Sequence, residues 1–273
     1  MAVCDYVEQM NAIKELLNKK SYNSYFQKVI GSPQIDEDRL LMMSISLQDT
    51  NLTIPEQNIY ITSAMLVQLA LNTHERVADP DAVRQERQLA VLAGDYYSGM
   101  YYHLLAYLEN TELITSLATA IKVVNEHNIS LFQNTVHTFE EFLNEFKEVE
   151  IAVIEQFCLH FQATKYISFF NEFLFLKKMI KEYEGFQAGK SVLFFERLKE
   201  HYFQEGTNVP ISNLSKDDSE KLSQLSYNYV EESINRLNNM IEDLPVLPPM
   251  LQMRIQEVLS RIHGLTRLSV EEG

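Results

Sequence analysis

Tryptophan is absent from the 273-residue sequence, and cysteine, glycine and proline are scarce, with two, eight and seven residues respectively. Cys4 and Cys158 form neither a metal-ligand spacing nor a disulfide framework. So few glycines and prolines argue against short strands joined by tight turns. The sequence lacks an uncharged apolar stretch long enough to span a bilayer, and its N-terminus lacks the apolar segment of a signal peptide. We therefore expect a cytoplasmic protein without a transmembrane segment.

Positive charge is also in short supply. The 23 Lys and Arg residues are outnumbered by 38 Asp and Glu residues, which gives a formal net charge of −15. Because phosphate backbones repel such a chain, we expect no binding to nucleic acid. The overall charge also disfavours binding to an anionic membrane as a polybasic protein does. Solubility is the simplest role of this charge, and attraction of a basic partner subunit is the alternative.

The feature present in abundance is helical periodicity. Apolar residues recur at spacings of three and four from Leu113 to Val124, with Asn110 or Thr111 as the N-cap of the predicted helix. Similar spacings along most of the chain predict an all-α, multi-helix bundle of about eight to ten helices. We expect a single helical domain over residues 1–273, and the polar loop 204–221 is the candidate for a subdomain break.

Two long helices are predicted on either side of an acidic segment. The first begins at Pro55 and continues to Ala78, since proline is favoured in the first turn of a helix. The second begins with Asp79 as N-cap and Pro80 in its first turn. The segment His-Glu-Arg-Val-Ala-Asp, residues 74–79, therefore lies at the junction of two helices.

This junction carries a degenerate metal-binding box. Glu75 and Asp79 stand four residues apart, and carboxylate oxygens are the ligands that Mg²⁺ prefers. Arg76 lies between them, supplies no ligand and places a positive charge where a dication would sit. Pairing with Arg76 would also neutralise the two carboxylates. We therefore predict that the box formed by Glu75, Arg76 and Asp79 binds no metal.

The helix after the box, within RQLAVLAGDYYSGMYYHLLAYL, is apolar on more than one face. Such a helix lies in the middle of a bundle or at a subunit interface. Gly94 is expected to let a neighbouring helix approach closely, and Asp95 would then need a partner, because a buried carboxylate is costly when unpaired. The candidate residues for an interface or a product tunnel are Gly94, Asp95, Tyr96, Tyr97, Gly99, Tyr101 and Tyr102.

These stretches resemble trans-polyprenyl diphosphate synthases, in which a helix ends in a histidine followed by D-D-x-x-D and the next helix carries a sequence like A-V-L-x-G-D-Y-L. The segments TSAMLVQLALNTHE and RQLAVLAGDYYSGMYY, with SPQIDEDRLLMM and LATAIKVVNEHNISLF, are similar to the accessory small subunits of bacterial heterodimeric synthases, the family of heptaprenyl diphosphate synthase component 1. The resemblance extends from about Ser32 to Phe132 and implies an isoprenoid-synthase-like helical bundle with a degenerate site.

The resemblance implies a division of labour. The larger catalytic subunit, component 2, would carry both aspartate-rich motifs and Mg²⁺, while this chain would bind no cofactor. The chain would then be a non-catalytic regulatory subunit, needed for activity and for control of product length in menaquinone side-chain synthesis. It could contact the prenyl chain and lie at the membrane periphery through its lipid product. The second aspartate-rich motif has no counterpart here, since Asp217 and Asp218 are interpreted as acids that cap a helix.

Two other functions stay open at the level of sequence. The chain could be a stand-alone, divergent prenyl or terpene synthase that binds Mg²⁺ through Glu75, Asp79, Asp95 and Glu126. It could also be an all-helical adaptor unrelated to isoprenoids. The sequence does not define the product length, any residual binding of diphosphate, the oligomeric state beyond a heterodimer or the surface that faces the partner.

Overall fold

A computed structural model describes residues 3–78, 82–133, 135, 138–203, 209–244 and 247–271. This part of the chain contains eleven α-helices and no strand, so the all-α prediction is confirmed. Within it, no helix combines the length and the apolar character needed to cross a membrane. The α-helices are α1 (Val3–Ser21), α2 (Ser24–Ile30), α3 (Glu37–Ser46), α4 (Ile54–Glu75), α5 (Arg84–Tyr107), α6 (Thr111–Gln133), α7 (Phe139–His160), α8 (Ile167–Gln187), α9 (Leu193–Tyr202), α10 (Lys216–Asp243) and α11 (Pro249–Glu271).

The helices form two compact units. The predicted polar loop ends earlier than expected, because residues from Lys216 onward belong to α10. The single domain over residues 1–273 and the subdomain break within residues 204–221 both stay predictions. The first unit comprises Met1–Asn125 and Ala152–Ile167, and the second comprises Glu126–Ile151 and Ser168–Gly273.

Helix α4 is the centre of the first unit. Every residue from Tyr60 to Leu71 is buried, so the helix is surrounded on all sides, by α1, α3 and α5 among others. Its start is fixed by a capping box, in which the carboxylate of Glu56 accepts the backbone N–H of Thr53 at 2.8 Å. Pro55 lies in this first turn, as the sequence predicts.

The predicted start of α5 is wrong. The helix begins at Arg84, so Asp79 is not its N-cap. Instead, the carboxylate of Glu86 accepts the backbone N–H of Val83 at 3.2 Å, which satisfies a donor just before the first turn. Residues 79–81 lie outside the described part of the chain.

Two other helix starts agree with the sequence. The N–H of Leu113 donates to Oδ1 of Asn110 at 2.9 Å, which confirms Asn110 as the cap of α6. At the start of α10, the N–H of Asp218 donates to the hydroxyl oxygen of Ser215 at 3.1 Å. Asp217 and Asp218 lie in this first turn, where negative charge is favoured. Their interpretation as acids of a helix start is therefore confirmed.

The second unit has an aromatic core and a buried ion network. The rings of Phe146 and Phe175 meet edge to face, with centroids 6.4 Å apart. Beside them, the Lys147 ammonium donates to both carboxylate oxygens of Glu172 at 2.9 Å, and Nε of Arg236 donates to one of them at 3.0 Å. Burial alone would raise the pKa of Glu172, but these cations and the Ser233 hydroxyl hold it below its ordinary value. Removing one partner of such a network leaves a buried charge uncompensated.

Helix α9 is capped by a side chain from another helix. Its own N-cap, Val192, has no side-chain oxygen, and the buried carboxylate of Glu182 in α8 accepts the backbone N–H of Phe194 at 3.0 Å. Burial raises the pKa of Glu182, although Lys178 and this hydrogen bond act in the opposite direction. The carboxylate therefore combines a useful cap with an unfavourable buried charge.

Substitution of Glu182 should separate these two effects. We expect Glu182→Ala to lower the free energy of unfolding by about 1–2 kcal/mol, because the Phe194 N–H loses its acceptor. Glu182→Gln keeps an acceptor and removes the charge. Since the folded pKa is raised above the ordinary value of 4.5, the stability that the wild-type carboxyl contributes falls as the pH rises from 4.5 toward the folded pKa.

The stability of Glu182→Gln relative to the wild type should therefore increase from about pH 4.5 to about pH 8. Thermal unfolding followed by circular dichroism at both pH values measures this difference. A glutamine variant that loses stability relative to the wild type over the same range would contradict the expectation.

Candidate functional site

The C-terminal end of α4 holds the degenerate box. Nη1 of Arg76 donates to the carbonyl oxygen of Ile30 at 2.7 Å. Ile30 is the last residue of α2, and carbonyls at a helix C-terminus have no partner within the helix and carry partial negative charge. The arginine that interrupts the acidic box thus serves as a cap for a neighbouring helix.

The same guanidinium lies close to the aromatic residues of α5. Burial raises the pKa of Tyr97, the neighbouring Tyr96 adds to this effect, and the positive charge of Arg76 opposes it. The ring of Tyr96 in turn meets the ring of Phe26 in α2, with centroids 5.9 Å apart. Arg76 therefore belongs to a packed junction of α2, α4 and α5.

The described residues of the box do not fit a magnesium ion. Glu75 is a suitable oxygen ligand, but the adjacent Arg76 brings a positive charge that repels a dication. Asp79, the third member of the box, lies outside the described residues. Among the residues that are described, no group of three or more His, Cys, Asp or Glu side chains is arranged to hold a metal. The absence of a metal site in this chain stays a prediction, supported by the chemistry of Arg76.

Gly94 has the role that the sequence predicts for it. A Cβ atom built on Gly94 would lie 2.4 Å from Nε2 and 2.5 Å from Cε1 of His74, so the imidazole of α4 packs directly on the glycine. Asp95 is not the buried carboxylate that was expected, because its side chain is 68% exposed, with Oδ1 3.8 Å from Nε2 of His74. The imidazole of His74 therefore occupies the space that a side chain at position 94 would take.

The seven candidate residues of α5 do not form one surface. Three of them, Gly94, Tyr97 and Tyr101, are buried on the face that packs inside the protein. Asp95, Gly99 and Tyr102 are exposed, and Tyr96 lies between the two faces. Their assignment to an interface or a tunnel stays a prediction, but in this conformation a partner could reach only the exposed members.

The sequence did not single out two further exposed apolar residues of the same helix. Leu92 is 56% exposed and Val91 is 40% exposed, and the predicted residue Tyr102 is 46% exposed. From Leu92 onward, exposed positions recur on one side of α5 at intervals of three and four residues, at 95, 99, 102 and 106, and exposed apolar patches mark contact surfaces. We call this surface the α5 stripe, and it consists of Val91, Leu92, Asp95, Gly99, Tyr102 and Ala106.

Comparison with known proteins gives one family. Residues 23–231 match the family model described as heptaprenyl diphosphate synthase (HEPPP synthase) subunit 1. The protein named heptaprenyl diphosphate synthase component 1 from Geobacillus stearothermophilus is 32% identical over 214 residues, which cover 78% of this chain and 93% of that relative.

Solved structures of prenyl diphosphate synthases share the fold. The heptaprenyl diphosphate synthase of Staphylococcus aureus gives a TM-score of 0.67 at 14% identity over 97% of both chains. The decaprenyl diphosphate synthase of Rhodobacter capsulatus gives 0.67 at 13% identity, over 95% of this chain and 97% of the other. The geranylgeranyl pyrophosphate synthase of Corynebacterium glutamicum gives 0.65 at 14% identity, over 98% and 92%. The expected isoprenoid-synthase-like fold is confirmed.

The contact between His74 and Gly94 can be tested against a matched glycine on the same helix. Nothing lies within 4 Å of a Cβ atom built on Gly99, so Gly99→Ala should stabilise the protein by up to about 1 kcal/mol through helix propensity. Gly94→Ala should instead destabilise it, because the methyl group overlaps the imidazole. Urea unfolding measures both changes.

The same substitution in a His74→Ala background completes the test. There the overlap is removed, and Gly94→Ala should become stabilising, like Gly99→Ala. If Gly94→Ala stabilised the protein as much as Gly99→Ala while His74 is present, the close approach of the two helices would not depend on the glycine.

Proposed function

The chain belongs to the family of heptaprenyl diphosphate synthase subunit 1, and on that premise we propose that it is the non-catalytic regulatory subunit of a heterodimeric long-chain trans-prenyl diphosphate synthase. The name of its relative, component 1, supports a second component. That larger subunit would carry the aspartate-rich motifs and Mg²⁺. Heptaprenyl diphosphate for the side chain of menaquinone is the proposed product.

Arg76 is the observation that carries this proposal. A prenyl synthase of this fold would need oxygen ligands for Mg²⁺ at the end of α4, and this chain has a guanidinium there. The guanidinium donates a hydrogen bond to the carbonyl oxygen of Ile30 at 2.7 Å and so has a structural role. A small shift of the side chain would break this hydrogen bond. A chain that has this fold but a disabled box is suited to support a catalytic partner.

The two alternative functions are less well supported. A stand-alone synthase would need Mg²⁺ ligands that include Glu75 and Asp95, and Arg76 adjoins the first while the second lies 3.8 Å from His74. An adaptor unrelated to isoprenoids does not agree with the family to which the chain belongs. Neither alternative is favoured by a contact among the described residues.

The α5 stripe is the proposed docking surface for the catalytic subunit. The opposite face of α5 packs within this chain, since Gly94, Tyr97 and Tyr101 are buried there. The stripe from Val91 to Ala106 is about 22 Å long, which suits the apolar centre of an interface. A stable interface buries about 800 Å² on each partner, so flanking polar residues would complete it.

The length of the product would depend on the apolar space that is available to the growing prenyl chain. Each buried CH₂ group of a growing chain contributes about 0.8 kcal/mol, so an apolar path between subunits favours elongation until it is filled. A regulatory subunit that forms part of the wall of this path would set the stopping point. This role is part of the proposal and requires the docked pair.

An elongation assay tests the proposed division of labour. We expect no prenyl elongation from this chain alone with radiolabelled isopentenyl diphosphate, an allylic primer and Mg²⁺, because Arg76 replaces a metal ligand. Addition of the catalytic subunit should restore elongation to a long-chain product, identified by thin-layer chromatography. Robust elongation by the isolated chain would favour the stand-alone synthase instead.

Substitutions in the α5 stripe test the docking surface. Leu92→Asp and Tyr102→Asp should each weaken the complex with the catalytic subunit by about 30-fold, the typical effect of losing a central contact residue. Met253→Asp on α11 is the matched control, because Met253 is 68% exposed and lies outside the stripe. Affinity is measured by titration calorimetry, and circular dichroism verifies that each variant is folded.

If Leu92→Asp, Tyr102→Asp and Met253→Asp all bound the catalytic subunit with the same affinity, the α5 stripe would be excluded as the interface. It would leave the division of labour untouched, because the elongation assay reports on that separately.

A further inference from the structure

The turn between α1 and α2 differs in charge from the rest of the chain. Residues 16–35 contain Lys19, Lys20 and Lys28 and no Asp or Glu, although the whole chain carries 38 acidic residues. Lys19 and Lys20 lie in the last turn of α1, and Lys28 lies in α2. A net positive segment therefore exists within a protein whose formal net charge is −15.

These cations form no ion pair with a carboxylate that the structure describes. Lys14 pairs with Glu37 and Lys165 with Asp49, whereas none of Lys19, Lys20 and Lys28 pairs with a carboxylate among the described residues. The exposed guanidinium of Arg84, at the start of α5, has no such partner either. Their charges are therefore available to an external anion.

Contacts between α2 and α5 place Lys28 and Arg84 on neighbouring elements, and Lys19 and Lys20 lie at the end of the helix that directly precedes α2. The hydroxyl of Tyr25 lies 3.5 Å from Nε2 of Gln85, which directly follows Arg84. Tyr25 and Lys28 are both exposed, and their spacing of three residues places them on the same side of α2. Only two residues, 22 and 23, connect α1 to α2. We call this surface the basic–tyrosine surface, and it consists of Lys19, Lys20, Tyr22, Tyr25, Lys28 and Arg84.

The tyrosines give this surface a second property. Tyr22 is 59% exposed and Tyr25 is 55% exposed, which is high for residues with large apolar rings. Tyrosine is enriched at the boundary between lipid and water, where its ring meets the headgroups and its hydroxyl stays hydrated. The lysine ammonium is a point charge on a flexible side chain. It can therefore follow a mobile layer of lipid phosphates more readily than it forms fixed contacts with carboxylates.

We infer that the basic–tyrosine surface docks on anionic lipid headgroups and holds this protein peripherally at a membrane. The net charge of the chain argues against this, but screening limits each interaction to about 8 Å at physiological salt, so the lipid responds to the nearest residues. Among the described residues, two acids lie within four positions of these cations in the sequence, Glu15 and Glu86, and the carboxylate of Glu86 accepts the N–H of Val83. Docking is therefore moderate in strength and sensitive to salt.

This surface shares no residue with the α5 stripe, and Lys19, Lys20 and Lys28 lie on other helices. A subunit with both surfaces could hold a catalytic partner and a lipid bilayer at the same time. Under the proposed function, this arrangement would release a water-insoluble prenyl product next to the membrane. The lipid-docking inference itself does not depend on that function, because it concerns the isolated chain.

Co-sedimentation with vesicles tests the inference on the full-length chain. We expect binding to vesicles that contain phosphatidylglycerol and little binding to phosphatidylcholine alone, with loss of binding as salt rises from about 0.1 M to about 1 M. Each lysine near an anionic surface contributes about fivefold in affinity. The double variant Lys19→Gln/Lys20→Gln should therefore bind about 30-fold more weakly.

Lys181→Gln/Lys190→Gln is the matched control. Both lysines are exposed, neither has a carboxylate partner among the described residues, and the change in net charge is the same. This control should bind like the wild type. Equal weakening of the two double variants would show that only overall charge matters and would overturn the inference, as would equal binding to both kinds of vesicle.

Two further measurements distinguish lipid from other anions. If inorganic diphosphate at constant ionic strength released the protein from vesicles, and bound the wild type but not Lys19→Gln/Lys20→Gln in calorimetry, the surface would be a site for free phosphates. If the same variant lost affinity for the catalytic subunit and kept its affinity for vesicles, the surface would be a protein interface. Either result would overturn the assignment to lipid headgroups.

Discussion

The burial of α4 on every side is the constraint on which the first unit depends. Because no residue from Tyr60 to Leu71 faces solvent, each neighbouring helix must pack closely against it, and polar groups can emerge only at its ends. At the C-terminal end, the imidazole of His74 packs on Gly94, where α4 meets α5. The same packing places Arg76 beside the end of α2, where it bonds to Ile30.

One consequence concerns the two faces of α5. The inner face packs against α4, while the outer face exposes Leu92 and Tyr102, and the ring of Tyr102 also stacks on that of Tyr101 with centroids 4.3 Å apart. Exposed apolar side chains on one side of a helix favour contact with another molecule, as proposed above. The charge distribution leads to a similar conclusion, since Lys19 and Lys20 remain without carboxylate partners among the described residues. Both surfaces are therefore the ones that we propose for contacts outside the chain.

Much of this organisation could be predicted from sequence, because the relevant signals are local. Periodicity alone gave the helices, the side chain of Asn110 gave the start of α6, and a glycine inside an apolar helix indicated a close approach at position 94. The predicted start of α5 was wrong because an aspartate followed by a proline is a strong local signal for a helix start. In the structure the helix begins at Arg84, and the carboxylate of Glu86 accepts the backbone N–H of Val83. The faces of α5 could not be assigned, since an apolar residue on every side leaves the rotation of the helix undefined until its neighbours are known. The basic surface was not predicted because the net charge of −15 averages over the whole chain and conceals the acid-free segment 16–35.

The hydrogen bond between Arg76 and Ile30 also gives position 76 a role in the fold. An aspartate at position 76 would remove the donor from a helix-end carbonyl and set a carboxylate against the negative end of α2. The residue whose charge disfavours a dication at this end of α4 is therefore also one that stabilises the neighbouring helix, so a carboxylate introduced here would be selected against by folding as well as by charge.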